Sequence, residues 1–139
     1  MAKNEVFKDS EGLSLLVPTG TKSGAPLRIG ILNAVAQTDE GSQTNSNYVF
    51  AGVAQPTGGI GNAAGYASVK TTGSWILQVT GATTVTAGVL TPVYITSANA
   101  LTTTASGNFL FGVALRAKSA PLGPVLVRIL QPGQVTANA

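Results

Sequence analysis

The chain has 139 residues and a formal net charge of +3, and it contains neither cysteine nor histidine. That length predicts one domain whose core is large enough to fold without disulfides. The missing residue types exclude thiolate metal sites and remove the usual general base and the commonest metal ligand.

Only 9% of the residues are charged, against about 25% in a typical soluble domain. Lys70 is the only charged residue between Glu40 and Arg116. A neutral surface of small side chains offers little electrostatic resistance to packing against neighbours, which predicts assembly. The alternative is a monomer that hydroxyl and amide groups keep in solution.

Residues 1–12 are polar, with Val6 and Phe7 as isolated apolar side chains. We interpret this segment as an N-terminal arm, because two such residues cannot form a core. The arm either frays or becomes ordered on a partner with Phe7 as its anchor. Residues 13–132 then form the folded domain, and residues 133–139 a flexible tail.

The first predicted strands are Leu13–Val17, Pro26–Ile29 and Ile31–Thr38. Between the first two, residues 19–24 contain glycine and lysine in a turn. A phosphate-binding loop is not indicated there, because that motif needs Gly-Lys-Ser/Thr four residues after an earlier glycine and a following helix.

A polar loop is predicted over residues 39–47. Its adjacent carboxylates, Asp39 and Glu40, could serve acid/base or metal chemistry only if they converged on one cleft, so a solvated loop is the preferred interpretation. Tyr48–Ala54 is the next predicted strand. The glycine-rich segment Pro56–Gly65 lacks the helix of a dinucleotide-binding turn and is interpreted as a flexible loop.

Two further strands are predicted at Ala67–Thr71 and Trp75–Thr80. In the second, Trp75, Leu77 and Val79 share one face because strand side chains alternate. Trp75 is interpreted as a core or subunit-contact residue, with a sugar-stacking platform as the alternative.

The stretch from Thr84 to Arg116 contains the clearest pattern of the chain. It predicts strands at Gly88–Ile95, Leu101–Thr104 and Phe109–Leu115. In the last of these, the period of two places four apolar residues on one face: Phe109, Phe111, Val113 and Leu115. A final strand is predicted at Val125–Leu130.

These elements predict an all-β fold, a small barrel or sandwich of about nine or ten short strands in a single domain. A symmetric oligomer would cover its uncharged strand edges. No basic run, no apolar run of ~20 residues and no signal peptide is visible. We therefore expect synthesis in a cytoplasm and no nucleic-acid, membrane or small-molecule partner.

Three segments carry a resemblance to a known family: SGAPLRIGILNAVAQT at residues 23–38, the stretch Ala87–Ala117, and PVLVRIL at residues 124–130. Together they resemble the small capsid decoration, or cement, proteins of tailed bacteriophages. Two departures are visible. The chain has Gly24-Ala25-Pro26 where the family commonly has Gly-Asp-Pro, and the region Gln43–Thr72 is longer and richer in glycine.

The resemblance implies a β-barrel-like homotrimer on the outer surface of the virion head, with the major capsid protein as partner. It implies no catalysis and no cofactor. We expect the arm to supply the capsid contact through Lys3, Asn4, Glu5, Val6, Phe7 and Lys8. The alternative function is a β binding module for host glycan, motivated by Trp75, Tyr48, Tyr66 and the glycine-rich loop.

Overall fold

The computed structural model describes residues 12–41, 44–50, 53–56 and 65–131. These residues form thirteen β-strands. In the described part of the chain no helix is long and apolar enough to cross a membrane. The strands are β1 (Gly12–Leu16), β2 (Pro26–Ile29), β3 (Leu32–Ala36), β4 (Thr44–Phe50), β5 (Val53–Pro56), β6 (Tyr66–Lys70), β7 (Ser74–Thr80), β8 (Val85–Thr86), β9 (Val89–Leu90), β10 (Pro92–Ile95), β11 (Leu101–Thr102), β12 (Phe109–Ala114) and β13 (Leu122–Ile129).

The all-β prediction is confirmed, including a barrel. Most strands lie within two or three residues of their predicted bounds, and β2 coincides with its prediction. Two details of the middle region were wrong. Strand β4 begins at Thr44, inside the predicted polar loop, and the single predicted strand at Tyr48–Ala54 is instead an antiparallel pair, β4 with β5. The glycine-rich residues 57–64 lie outside the described part.

The chain divides into two compact units, and β3 passes from one to the other. The first unit comprises Met1–Ala25 and Val35–Lys70. In it, β1 pairs antiparallel with β6, and β6 pairs with the end of β3. Its buried apolar side chains come from these three strands and the turn after β1: Val17, Val35, Ala36, Ala67 and Val69.

The second unit comprises Pro26–Ala34 and Thr71–Ala139 and contains a closed five-stranded barrel. The strand order around the barrel is β10-β11-β7-β13-β12. All these neighbours are antiparallel except β11 and β7. The longest pairing joins seven residues of β7 to seven of β13, with Leu77 opposite Val125 and Trp75 opposite Val127.

The barrel interior is filled by alternate residues of its strands, as a closed sheet of this size requires. On β7, Leu77 and Val79 are buried while Ile76 and Gln78 are exposed, which confirms the predicted face. The largest fully buried side chain is Phe111. Since an aromatic ring of this size removes much apolar surface from water, Phe111 is the central residue of this core.

Strand β12 does not follow its predicted alternation throughout. Phe111 and Ala114 are buried, whereas Phe109 is 52% exposed. The pairing with β10 shifts register here: Val93 lies opposite Gly112, but the next residue, Tyr94, lies opposite Leu110. The additional residue on β12, Phe111, forms a bulge, and the buried positions after it are Gly112 and Ala114 instead of the predicted Val113. The predicted alternation over the whole strand was therefore wrong, and Phe109 is exposed although it lies opposite the buried Ile95.

A buried amide joins β3 to one end of the barrel in the second unit. Asn33 is 1% exposed, and its Nδ2 donates to the carbonyl oxygens of Leu110 at 2.9 Å and Leu130 at 2.7 Å. Its backbone N–H donates to Gln131 Oε1 at 2.9 Å, while Gln131 Nε2 donates to the Asn33 carbonyl at 2.5 Å. One asparagine thus satisfies carbonyl groups from the start of β12 and from the residue after β13.

We expect Asn33→Ala to lower the free energy of unfolding by about 1–3 kcal/mol, because it removes a buried amide and leaves partly buried carbonyl groups without this donor. Asn108→Ala is the matched control. Asn108 also donates to a backbone carbonyl, that of Thr104 at 3.0 Å, but in an exposed turn. Denaturant unfolding of both variants measures the difference. Equal losses would show that the Asn33 network contributes nothing beyond an ordinary turn contact.

Candidate interaction surfaces

The carboxylates that the structure describes do not converge on a reaction centre. Asp39 Oδ1 accepts a hydrogen bond from the backbone N–H of Ser23 at 2.8 Å. Glu40 Oε1 accepts one from the N–H of Gly20 at 2.5 Å. The two side chains therefore hold different parts of the turn that follows β1. No group of metal-ligating residues occurs elsewhere in the described ranges.

The contacts of Asp39 and Glu40 agree with the prediction of a loop instead of a paired-carboxylate site. We did not predict that both side chains stabilise a turn about 20 residues away along the chain, since nothing in their local spacing indicates it. The hydrogen bond from the Ser23 N–H is the main cause that lowers the pKa of Asp39 below its usual 3.8, and the Lys22 ammonium adds to it. The Lys22–Asp39 ion pair, at 3.4 Å, is exposed, so its own contribution is small.

The side chain of Trp75 contacts the turn that precedes its own strand, β7. The indole lies half-buried over Gly73, and its Nε1 donates to the carbonyl oxygen of Thr72 at 3.1 Å. This contact satisfies the only polar group of the ring and holds the indole against the turn before β7. It supports the structural interpretation of Trp75.

An exposed hairpin, β8–β9, carries three large apolar side chains. Val85 pairs with Leu90 across it, and Val89, beside the turn, is 56% exposed. At the base of the hairpin, the Thr91 hydroxyl accepts a hydrogen bond from the N–H of Thr84 at 2.8 Å.

The prediction of one continuous strand over Gly88–Ile95 was wrong here. The signal for a hairpin was Ala87-Gly88 between two apolar-containing pairs, a two-residue turn with φ of +82° at Gly88.

A second exposed apolar area lies on the outer face of the β7–β13 pair. Ile76 is 73% exposed and lies opposite Leu126, and Leu122 is also exposed on the same strand pair. Adjacent exposed apolar residues on a soluble domain often mark a contact with another protein. The described charge nearest to this area is cationic, since Arg116 borders a groove beside Ile76 and Leu126.

Comparison with protein families places these surfaces in context. The family model described as phage cement protein matches residues 7–129. The chain belongs to the phage cement protein family. A cement protein associates with the phage capsid and has a structural role there, so the resemblance found in the three sequence segments is confirmed. No match was found among curated proteins, and none among solved structures.

The predicted capsid-contact residues, Lys3, Asn4, Glu5, Val6, Phe7 and Lys8, all lie outside the described part of this cement protein. The family match begins at Phe7, so it includes Phe7 and Lys8 and omits the first four of the set. The assignment of the arm therefore stays a prediction.

We expect Asp39→Asn to reduce thermal stability near neutral pH, with a difference that disappears on acidification. The folded-state pKa of Asp39 is lowered, so its contribution is present above the unfolded-state value and is lost as the pH falls through the folded-state one. Melting temperatures of wild type and variant, followed from neutral pH to well below 3.8, test this. A difference in melting temperature between wild type and variant that stays constant with pH would contradict this prediction.

Proposed function

We propose that this protein decorates the outer surface of the phage head and stabilises the expanded shell by bridging neighbouring major capsid subunits. The observation that carries the proposal is the cement-family match over residues 7–129. The described residues add a closed barrel with exposed apolar surfaces and no cluster of groups suited to metal binding. We propose a purely structural role, without catalysis.

Stabilisation follows from linkage. A ligand that binds one state of a shell and not another shifts the equilibrium toward the state that it binds. If the protein binds only where expanded subunits meet, every bound copy opposes the return to the unexpanded arrangement. No change within the capsid protein itself is required.

The proposed assembly is a homotrimer. Three linked copies make the second and third shell contacts intramolecular, which raises apparent affinity by about 10²–10⁴. We assign the contacts between copies to the nearly uncharged surface of residues 66–104. The exposed hairpin β8–β9 and the outer side chains of β7 lie in that range, and their apolar area is available for burial between copies.

The trimer predicts a defined sedimentation behaviour. At micromolar concentration the wild-type protein should sediment as a trimer, and Val89→Asp should shift it toward monomer, because three carboxylates would be buried together. Ser119→Asp, at an exposed position outside residues 66–104, is the matched control and should leave the trimer intact. A stable wild-type monomer would remove the homotrimer from the proposal.

We assign the first contact with the shell to the arm, residues 1–12. An extended segment can add as an edge strand to a β-element of the capsid, so that backbone hydrogen bonds supply affinity. Phe7 would then fill an apolar pocket, with Lys3, Asn4, Glu5, Val6 and Lys8 around it.

Deleting residues 2–11 should abolish binding to purified undecorated heads while the protein stays folded and trimeric. Deletion of the predicted tail, residues 133–139, is the control for truncating a terminus and should bind as wild type does. Co-sedimentation with heads measures both. Undiminished binding of the arm deletion would show that the shell contact lies elsewhere on the protein.

A further inference from the structure

A groove in the second unit combines a cation with exposed apolar side chains. It has a volume of about 400 Å³ and is lined by Arg28, Ile31, Thr96, Asn99 and Phe109, among others. We call it the Arg28 groove. Its residues come from β2 and the β2–β3 turn, the turn after β10 and the start of β12, which are far apart in the chain.

The arginine is held in place by three contacts. Its guanidinium carbon lies 4.2 Å from the centre of the Phe109 ring. Its Nη1 donates to Asn33 Oδ1 at 3.2 Å, and its backbone N–H donates to Asn99 Oδ1 at 3.1 Å. A side chain fixed in this way loses little conformational freedom when it binds a ligand, which favours affinity.

The walls of the groove are also fixed. The turn after β10 is closed by the N–H of Asn99, which donates to the Thr96 carbonyl at 3.0 Å, and by the N–H of Thr96, which donates to the Ala100 carbonyl at 2.9 Å. Asn99 has a φ of +61°, a left-handed conformation that asparagine tolerates better than most residues. The Asn99 amide can therefore hold the Arg28 backbone at this position.

The apolar part of the groove is open to solvent. Ile31 is 72% exposed, and Phe109 is half exposed. Two large apolar side chains beside a stacked guanidinium resemble the centre of a protein-binding surface, where aromatic and arginine residues predominate.

Charge indicates which partner fits. All five aspartate and glutamate residues of the chain belong to the first unit, while the second unit carries four cations, Arg28, Arg116, Lys118 and Arg128. Among the described residues the only ion pair is Lys22–Asp39. A guanidinium has five N–H donors that suit a carboxylate, and the described contacts of Arg28 use one of them.

The only carboxylates that the described part of a second copy could offer to this groove are Asp39 and Glu40. Each of them already accepts a hydrogen bond from the turn after β1, so a separate acidic segment fits Arg28 better. We therefore propose that the Arg28 groove binds an acidic peptide segment of the head shell. A carboxylate of that segment lies on Arg28, and a neighbouring apolar side chain packs against Ile31 and Phe109. The inference rests on the proposed function and adds the chemistry of the partner.

The test is co-sedimentation with undecorated heads over a series of salt concentrations. Arg28→Gln should weaken binding by about tenfold or more at low salt, because it removes a charged hydrogen bond. It should also flatten the dependence of affinity on salt. Ile31→Ser should weaken binding without changing the salt dependence, and the exposure of Ile31 makes this variant safe for folding. Arg128→Gln, at another exposed arginine of the same unit, is the matched control.

The outcomes are distinguishable. If the wild-type protein does not bind the heads, both the proposed function and this inference are contradicted. If wild type binds and both groove variants bind as the Arg128→Gln control does, the inference alone is overturned. A synthetic peptide of residues 1–12 could also compete with the heads for wild-type protein but not for the Arg28→Gln variant. That result would show that the groove binds the arm of a neighbouring copy, and it would overturn the inference.

Discussion

The buried amide of Asn33 is the contact on which the second unit depends. Its Nδ2 donates to carbonyl groups at the start of β12 and just after β13, and its Oδ1 accepts a hydrogen bond from Arg28. A closed barrel leaves backbone groups unpaired at its ends, and buried groups of that kind are costly unless a donor reaches them. Asn33 provides the donor and, through the same side chain, sets the position of the groove arginine.

No charged side chain is buried in the described core of the second unit, so all its described charges lie on the surface. Because alternate residues of each barrel strand point inward, the outward positions decide what the protein can contact. The second unit as a whole has four cations and no acidic residue, and Arg128 is the cation that lies on a barrel strand. Lys118 donates to the carbonyl oxygens of Gly81 and Ala120, whereas Arg116 uses one of its five donors on the Leu115 carbonyl, so the arginines keep more donors for a partner. The apolar, hydroxyl and cationic side chains on this surface suit contact with another protein, in agreement with membership of the cement family.

The sequence was sufficient for much of the strand pattern. The alternation in β7 and β13 predicted both strands and their buried faces, because a period of two over seven or eight residues is typical of a strand with one buried face. The resemblance in three segments predicted the family. Shorter elements were less well predicted. The start of β4 is polar and was predicted as a loop, since its pairing with β5 is not visible in its composition.

The interaction surfaces were harder to predict for a physical reason. Phe109 is exposed although the alternation of β12 places it on the face of the buried Phe111, and the bulge that disturbs this alternation is a property of the pairing with β10. The burial of Asn33 depends on carbonyl groups 77 and 97 residues away. The Arg28 groove therefore exists only once three separated segments of the chain have been assembled, and local sequence patterns do not encode that arrangement.

The most direct test of the account is an electron-microscopy reconstruction of heads purified with and without this protein. Additional density is expected on the outer surface where neighbouring capsid subunits meet, with the barrel of each copy oriented so that Arg28 faces the shell. Heads that look the same with and without the protein would contradict it, as would density confined to the interior.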